Sequence, residues 1–229
     1  MKNQVSYNGV FENKFGLSQI VIKNDFKYLS FELGSFRFEG TSFDDFELLD
    51  YDSYSKAELE RFSLNKISSG QGFVYELCDC SITVYFPLFL RDVETKEVLQ
   101  KELEMKVQIG KNIGNGMIED LQVSLNLNMF GKKFVAVDYD FEDAANEIQK
   151  QIAPRYRFNN CFGCNYSDYS PYGKTIFGDM LCFKNQKKEY VKVKNKLEFF
   201  KLNKADSFVQ EIYCCEEFEI RRKNIGYRG

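Results

Sequence analysis

The chain has 229 residues, 44% of them hydrophobic, a net charge of −3, no histidine and no tryptophan, but 23 Phe and 14 Tyr. Such a length and composition belong to a folded chain with a large aromatic core and exclude a disordered polymer. Without histidine there is no imidazole base for the common Ser or Cys nucleophiles, and no run of about 18 uncharged apolar residues exists to span a membrane.

Charge is unevenly placed: residues 1–140 carry 15 Lys+Arg against 22 Asp+Glu, and residues 141–229 carry 16 against 12. A zinc ion with four thiolates would itself add about −2 to the second part, leaving about +2, too little to mark a nucleic-acid-binding domain. The segment Met1 to Val10 lacks the basic, apolar and small-residue regions of a signal peptide, so a cytoplasmic protein is expected. In that reducing compartment seven cysteines are expected as thiols or metal ligands rather than as disulfides.

Along the first 140 residues apolar positions alternate with polar ones, which predicts strands with one buried face. The alternation runs through Phe31, Leu33, Phe36 and Phe38, through Cys80, Ile82, Val84 and Phe86, and through Leu121, Val123, Leu125 and Leu127. Gly40, Gly70 with Gly72, the polar Asp92 to Lys96 segment, Gly110 to Gly116 and Gly131 punctuate them as turns. Asp140 then caps a predicted helix from Phe141 to Ile152, with Phe141, Ala144, Ala145, Ile148 and Ile152 on one face and Pro154 as its stop. Beyond it, strands are predicted at Phe177 to Phe183, around Val191 and Val193, and from Phe208 to Tyr213. The expected fold is α+β and mainly β: an antiparallel β-sandwich-like domain over 1–140, a bridging helix over 141–153, and a four-cysteine zinc-knuckle region over 154–229.

The knuckle is read from Cys161 and Cys164, spaced C-x-x-C, with Cys182 and one of Cys214 and Cys215. Four thiolates make a closed tetrahedral site, the geometry of structural Zn2+, with no open position for substrate. On a strand continuing from Val209, Cys214 and Cys215 face opposite sides, which favours Cys215 as the fourth ligand. Unligated buried thiols, or a redox or iron–sulfur role, are the alternatives that spacing leaves open. Cys78 and Cys80, two apart on one strand face, are read as small core residues.

The run from Thr41 to Tyr54 interleaves carboxylates with aromatic rings. Asp44, Asp45, Phe46, Glu47, Asp50, Tyr51 and Asp52 are the candidate partner-binding residues, acidic groups to steer a basic protein and rings to hold it. No phosphate-binding loop, dinucleotide fingerprint or nucleophile elbow occurs. Two alternatives stand beside this reading. One is an enzyme built on Asp168, Tyr166, Tyr169 and Lys174; the other is a zinc-knuckle adaptor that binds nucleic acid through Arg155, Tyr156, Arg157 and Phe158.

The strings CFGCNYSDYSPYG from Cys161, FGDMLCF, VQEIYCCEEFEIR and the terminal GYRG resemble the carboxy-terminal half of an uncharacterised bacterial domain-of-unknown-function family. In the pattern of that family a cysteine aligns with Cys215 and an apolar residue with Cys214. The resemblance implies an immunity-like protein that neutralises a cognate toxin or effector; the thiol set, the missing catalytic motifs and the missing apolar span add the expectation of structural zinc, no catalytic residue and no membrane partner.

Overall fold

The joint between two strands dictates how this chain is shaped. In the computed structural model, which describes residues 4–70 and 72–227, the first seven strands are β1 (Val5–Asn13), β2 (Gly16–Asn24), β3 (Leu29–Leu33), β4 (Phe36–Gly40), β5 (Glu47–Leu48), β6 (Ser63–Ser69) and β7 (Gly72–Cys78), with a single helical turn α1 (Lys56–Leu59) before β6. Then come β8 (Cys80–Asp92), β9 (Val98–Ile109), the small hairpin β10 (Asn112–Gly114) and β11 (Met117–Ile118), β12 (Leu121–Met129) and β13 (Lys132–Asp138). The large antiparallel sheet has the order β13-β12-β9-β8-β1-β2-β3-β4-β5-β7-β6.

In that order β7 and β8 stand six places apart, roughly 29 Å across a flat sheet. Yet Asp79 alone joins them, in the left-handed region at φ 50°. The sheet must therefore curl back on itself. Asp79 N–H donates to the Gly110 carbonyl at 2.8 Å, and Asn65 of β6 donates to the Gly116 carbonyl at 2.9 Å, which fastens the two ends of the curl.

Inside lies the aromatic core. Phe31 stacks on Phe38 and meets Phe46 edge-on, while Phe43 meets Phe86 from the opposing layer. The predicted inward faces are buried in all three segments, with Leu33 and Leu121, near the strand ends, half-buried.

Helix α2 (Phe141–Ile152) buries the five predicted residues Phe141, Ala144, Ala145, Ile148 and Ile152, and the Asp140 carboxylate accepts from Asp143 N–H at 2.9 Å. It lies against β12 and β13 and leads to β14 (Tyr156–Phe158), which pairs with the far end of β8. Gln149 of α2 closes the outer edge of β14: its amide donates to the Tyr156 carbonyl at 2.9 Å and accepts from Phe158 N–H at 3.1 Å. Gln149→Leu leaves both backbone groups without a partner and is expected to lower stability by about 1–3 kcal/mol, read from the midpoint of urea unfolding.

The core does not stop at residue 153. Phe158, Phe162, Tyr169, Phe177 and Met180 belong to the same apolar cluster as the sheet, and a second, smaller cluster gathers Cys164, Tyr166, Leu181, Phe183 and Tyr190. A three-stranded sheet of β15 (Ser167–Asp168), β16 (Met180–Cys182) and β17 (Ser207–Val209) carries this part. Two expectations are corrected. Around Val191 and Val193 there is no strand: α3 (Lys187–Tyr190) occupies the segment and Val191 is its C-cap, because Tyr190 and Val193, three apart, share a buried side. The last strand ends at Val209, since the chain turns at Gln210, whose carbonyl accepts from Tyr213 N–H at 3.1 Å. One more helical turn, α4 (Lys196–Phe199), lies between α3 and β17.

Candidate metal centre and its surroundings

The CFGC loop from Cys161 to Cys164 is held from two sides by later parts of the chain. Cys161 and Phe162 N–H groups donate to the carbonyls of Tyr213 (2.6 Å) and Glu211 (3.0 Å). On the other side Arg221 N–H donates to Gly163 O at 2.8 Å and Asn165 N–H to Glu219 O at 2.7 Å. Gly163 is required by proximity: a Cβ there would lie 2.2 Å from the Phe158 carbonyl oxygen. The glycine thus allows β14 and the thiol loop to touch.

Cys182 ends β16, between Ser167 and Ser207 of its neighbours. Cys161, Cys182 and Cys215 line one cavity of about 400 Å³, together with Lys184, Gln210 and Tyr213. The Cys215 segment is tied to the large sheet by a buried reciprocal amide pair. Asn24 of β2 donates to Gln210 Oε1 at 2.7 Å, and Gln210 donates back to Asn24 Oδ1 at 3.0 Å.

Burial pushes the Cys161 thiol far above its ordinary range, and Cys164, Cys182, Cys215 and Cys214 raise it further, so these sulfurs feel one another. Burial raises Cys182 as well. Cys214 faces another way: it lines a separate cavity with Tyr85 and Phe89 and accepts from Asn159 Nδ2 at 3.6 Å. Cys215 lines the cavity of Cys161 and Cys182 and Cys214 does not; the two lie past the turn at Gln210 and not on the expected strand. Among the described residues no group of three or more Cys, Asp or Glu forms a ready-made metal site. The donor set is nevertheless all thiol, with Cys161, Cys164 and Cys182 buried and Cys215 half-buried, chemistry that suits zinc. Cys78 and Cys80 are buried at the β7–β8 joint, with burial raising Cys80 to about 12.

The acidic run is only partly a surface. Phe46 is 0% exposed, in edge contact with Phe31, so it cannot anchor a partner. Asp45 closes a turn by accepting from Ser42 N–H at 2.8 Å, and half-buried Asp44 accepts from Ser42 Oγ at 2.5 Å. Burial raises Asp44, and Glu76, opposite Glu47 on β7, is raised to about 7 by burial and then by Asp45, Asp44 and Glu47. Asp50 is ion-paired with Arg37, and Tyr51 stacks on Tyr75 at 3.5 Å. Of the candidate partner-binding residues Asp50 and Asp52 are exposed, while Asp44, Asp45, Glu47 and Tyr51 are half-buried.

The acid–base cluster read around Asp168 is divided between two networks. Asp168, fully buried, accepts from Tyr190 Oη at 2.7 Å, Tyr227 N–H at 3.0 Å and Tyr169 N–H at 2.9 Å, with Arg221 at 3.8 Å. Lys174 instead pairs with Asp140, at 3.1 Å, and Glu142 at the start of α2. Tyr169 Oη donates to Glu211 at 3.0 Å. The terminal GYRG docks through Gly226 and Tyr227: a Cβ on Gly226, at φ 73°, would lie 2.0 Å from Tyr190 Oη. Arg228 and Gly229, like residues 1–3 at the other terminus, lie outside the described residues. Glu211 and Tyr190, both central here, carry no local sequence signal; their partners come from segments tens of residues away.

The fold and site define a mainly β, antiparallel protein with a thiol-rich carboxy-terminal part. The chain belongs to a family of unknown function, DUF6304, whose model matches residues 5–167. That match runs through the sheet, which sequence reading tied to the family only by its β content. It ends at Ser167, within the CFGCNYSDYSPYG string, so Cys182, Cys214, Cys215 and the tail lie beyond it. Neither the curated proteins nor the solved structures contain a match. Among the described residues no helix is long and apolar enough to cross a membrane.

Proposed function

We propose that this chain is a binding protein of the immunity type, which neutralises a toxin or effector by covering it, and whose carboxy-terminal part is braced by zinc on Cys161, Cys164, Cys182 and Cys215. The observation that carries the reading is the gathering of Cys161, Cys182 and Cys215 around one cavity, with Cys164 within electrostatic reach. A metal there would be closed off by four thiolates and would supply folding energy, not chemistry. Binding without catalysis is supported by what the enclosed ionisable groups do: buried Asp168 and Glu211 and half-buried Lys174 are each engaged in holding segments together. The inhibitor role itself rests on the family resemblance and on the acidic edge formed by Glu47, Asp50 and Asp52.

Native mass spectrometry of the untagged protein from its own cells tests both parts. One zinc per chain and a co-purifying polypeptide are expected. Cys161→Ser and Cys182→Ser should each lose the metal, while Cys78→Ser keeps it; metal retained in the first two variants removes the zinc site. Asp50→Lys with Asp52→Lys should slow association with the captured partner in a salt-dependent way. An unchanged association rate removes that edge from the interface.

A further inference from the structure

A second site lies on the opposite side of the CFGC loop, and its lining is cationic. Arg157 of β14 and the consecutive Arg221, Arg222 and Lys223 surround a cavity of about 220 Å³, whose remaining polar wall is Asn146 and Gln149 of α2. Among the described residues two carboxylates pair with these cations: buried Asp168, 3.8 Å from Arg221, and Glu219 at the rim, 3.5 Å from Arg222. Arg221 is oriented by the carbonyls of Ser167 (2.8 Å) and Ile225 (2.8 Å), and its buried Nε has no acceptor. Arg157 and Lys223 have no acidic partner among the described residues.

Arg157 also stands directly opposite Arg91 across the β14–β8 ladder. Like charges in that relation destabilise a sheet. Arg91 is turned away to Asn159 Oδ1, at 3.0 Å, and leaves Arg157 to the cavity. A cation without an acidic partner among the described residues, in a concave site with Arg222, Lys223 and the open Nε of Arg221, is an arrangement that a bound anion would offset.

We propose that this cavity binds a phosphoryl group, as free phosphate or as the end of a small phosphate ester. Size favours that ligand: the volume holds several waters at about 30 Å³ each but falls below the roughly 300–1,000 Å³ of pockets that enclose a whole small molecule. Nucleic acid fits less well, since that mode needs stacking rings beside the cations. Phe158 is 1% exposed, Tyr156 leans on Phe130, and Arg155 is held by Asp92 at 2.9 Å.

Isothermal titration of the full chain with inorganic phosphate at low salt tests the site, with glycerol phosphate as a second ligand. One saturable site is expected. Arg157→Gln should weaken it by about tenfold or more, with Lys223→Ala acting in the same direction. Lys14→Ala, in the β1–β2 turn beside the start of β8 and far from Arg91, should not change it. Arg157→Gln should unfold at the same or a higher temperature, because it removes the like-charge pair, so lost binding is not lost folding. Comparable binding of the ester assigns the site to a terminal phosphoryl group, and preference for the free ion assigns it to phosphate. The proposal is overturned if phosphate does not saturate, if Arg157→Gln and Lys223→Ala bind it as the native protein does, or if the same variants lose only a steeply salt-dependent retention of single-stranded oligonucleotides.

Discussion

Asp168→Ala is expected to lower the unfolding free energy by about 3–5 kcal/mol, the range for removing one partner from a buried charged network. Asp168 is 0% exposed and joins three separate pieces of chain: Tyr190 after β16, Arg221 in the last strand-like pass, and the Tyr227 backbone in the tail. Arg221 is itself mostly buried, so losing the carboxylate leaves a guanidinium with only carbonyl and phenol partners. Burial already holds the Tyr190 phenol in its neutral form, so this ring serves as a donor that needs an acceptor. Asp168→Asn keeps the shape and some acceptor capacity, and its loss should be smaller. Urea unfolding gives both values, and amide exchange at Tyr227 should become fast in the alanine variant. A loss below about 1 kcal/mol would mean that the tail is held by Gly226 against Tyr190 and not by the carboxylate.

The second large effect is on pH dependence. Glu211 is fully buried; burial is the main cause that drives its carboxyl up to about 7, Asp179 adds to it, and the bonds from Gly178 N–H (2.8 Å) and Tyr169 Oη (3.0 Å) only partly oppose it. An unfolded chain releases this proton near 4.5. Below that value both states hold the proton and Glu211 contributes no slope. Between about 4.5 and 7 the unfolded state binds fewer protons than the folded state, so stability falls as pH rises, and above 7 it levels off. The total is on the order of 3 kcal/mol, from the difference between 4.5 and about 7 at about 1.4 kcal/mol per pH unit. Glu76, half-buried and also raised to about 7, adds a smaller fall in the same window. Glu211→Gln should therefore be more stable than the native protein at pH 8 and should flatten most of the slope in urea midpoints measured from pH 4 to pH 8. A slope that survives the substitution assigns the effect to Glu76 and its acidic neighbours.

The two networks show where reading the sequence succeeds. The helix from Phe141 to Ile152 was legible to the residue, because its cap, its apolar stripe and its stop all lie within fifteen consecutive positions. The segments that became β8 and β12 were legible for the same reason, since period-two alternation is local and one face is dry, but the alternation from Phe31 to Phe38, read as one segment, spans the hairpin β3–β4, which turns at Gly34 (φ 63°). The acidic run misled because alternation of rings and carboxylates has the same appearance on a surface and in a turn that drives its rings inward; Phe46 went to the core when Asp45 closed the turn. The short segments after β16 misled because two or three apolar residues fit a strand and a single helical turn equally well, and Tyr190 decided between them through Asp168.

By itself, then, the sequence determined the composition of the core, the antiparallel β class, the one long helix and the thiol set, since each is written in neighbouring residues or in residue type. Only the tertiary structure decided which thiols share a cavity, that the one-residue joint between β7 and β8 curls the sheet, that Asp168 and Lys174 serve different networks, and that Arg157 meets Arg221 to Lys223. Those facts depend on contacts between residues up to 186 positions apart, as for Asn24 and Gln210. Such contacts form through burial and hydrogen bonding after the strands have paired, and no local pattern encodes them.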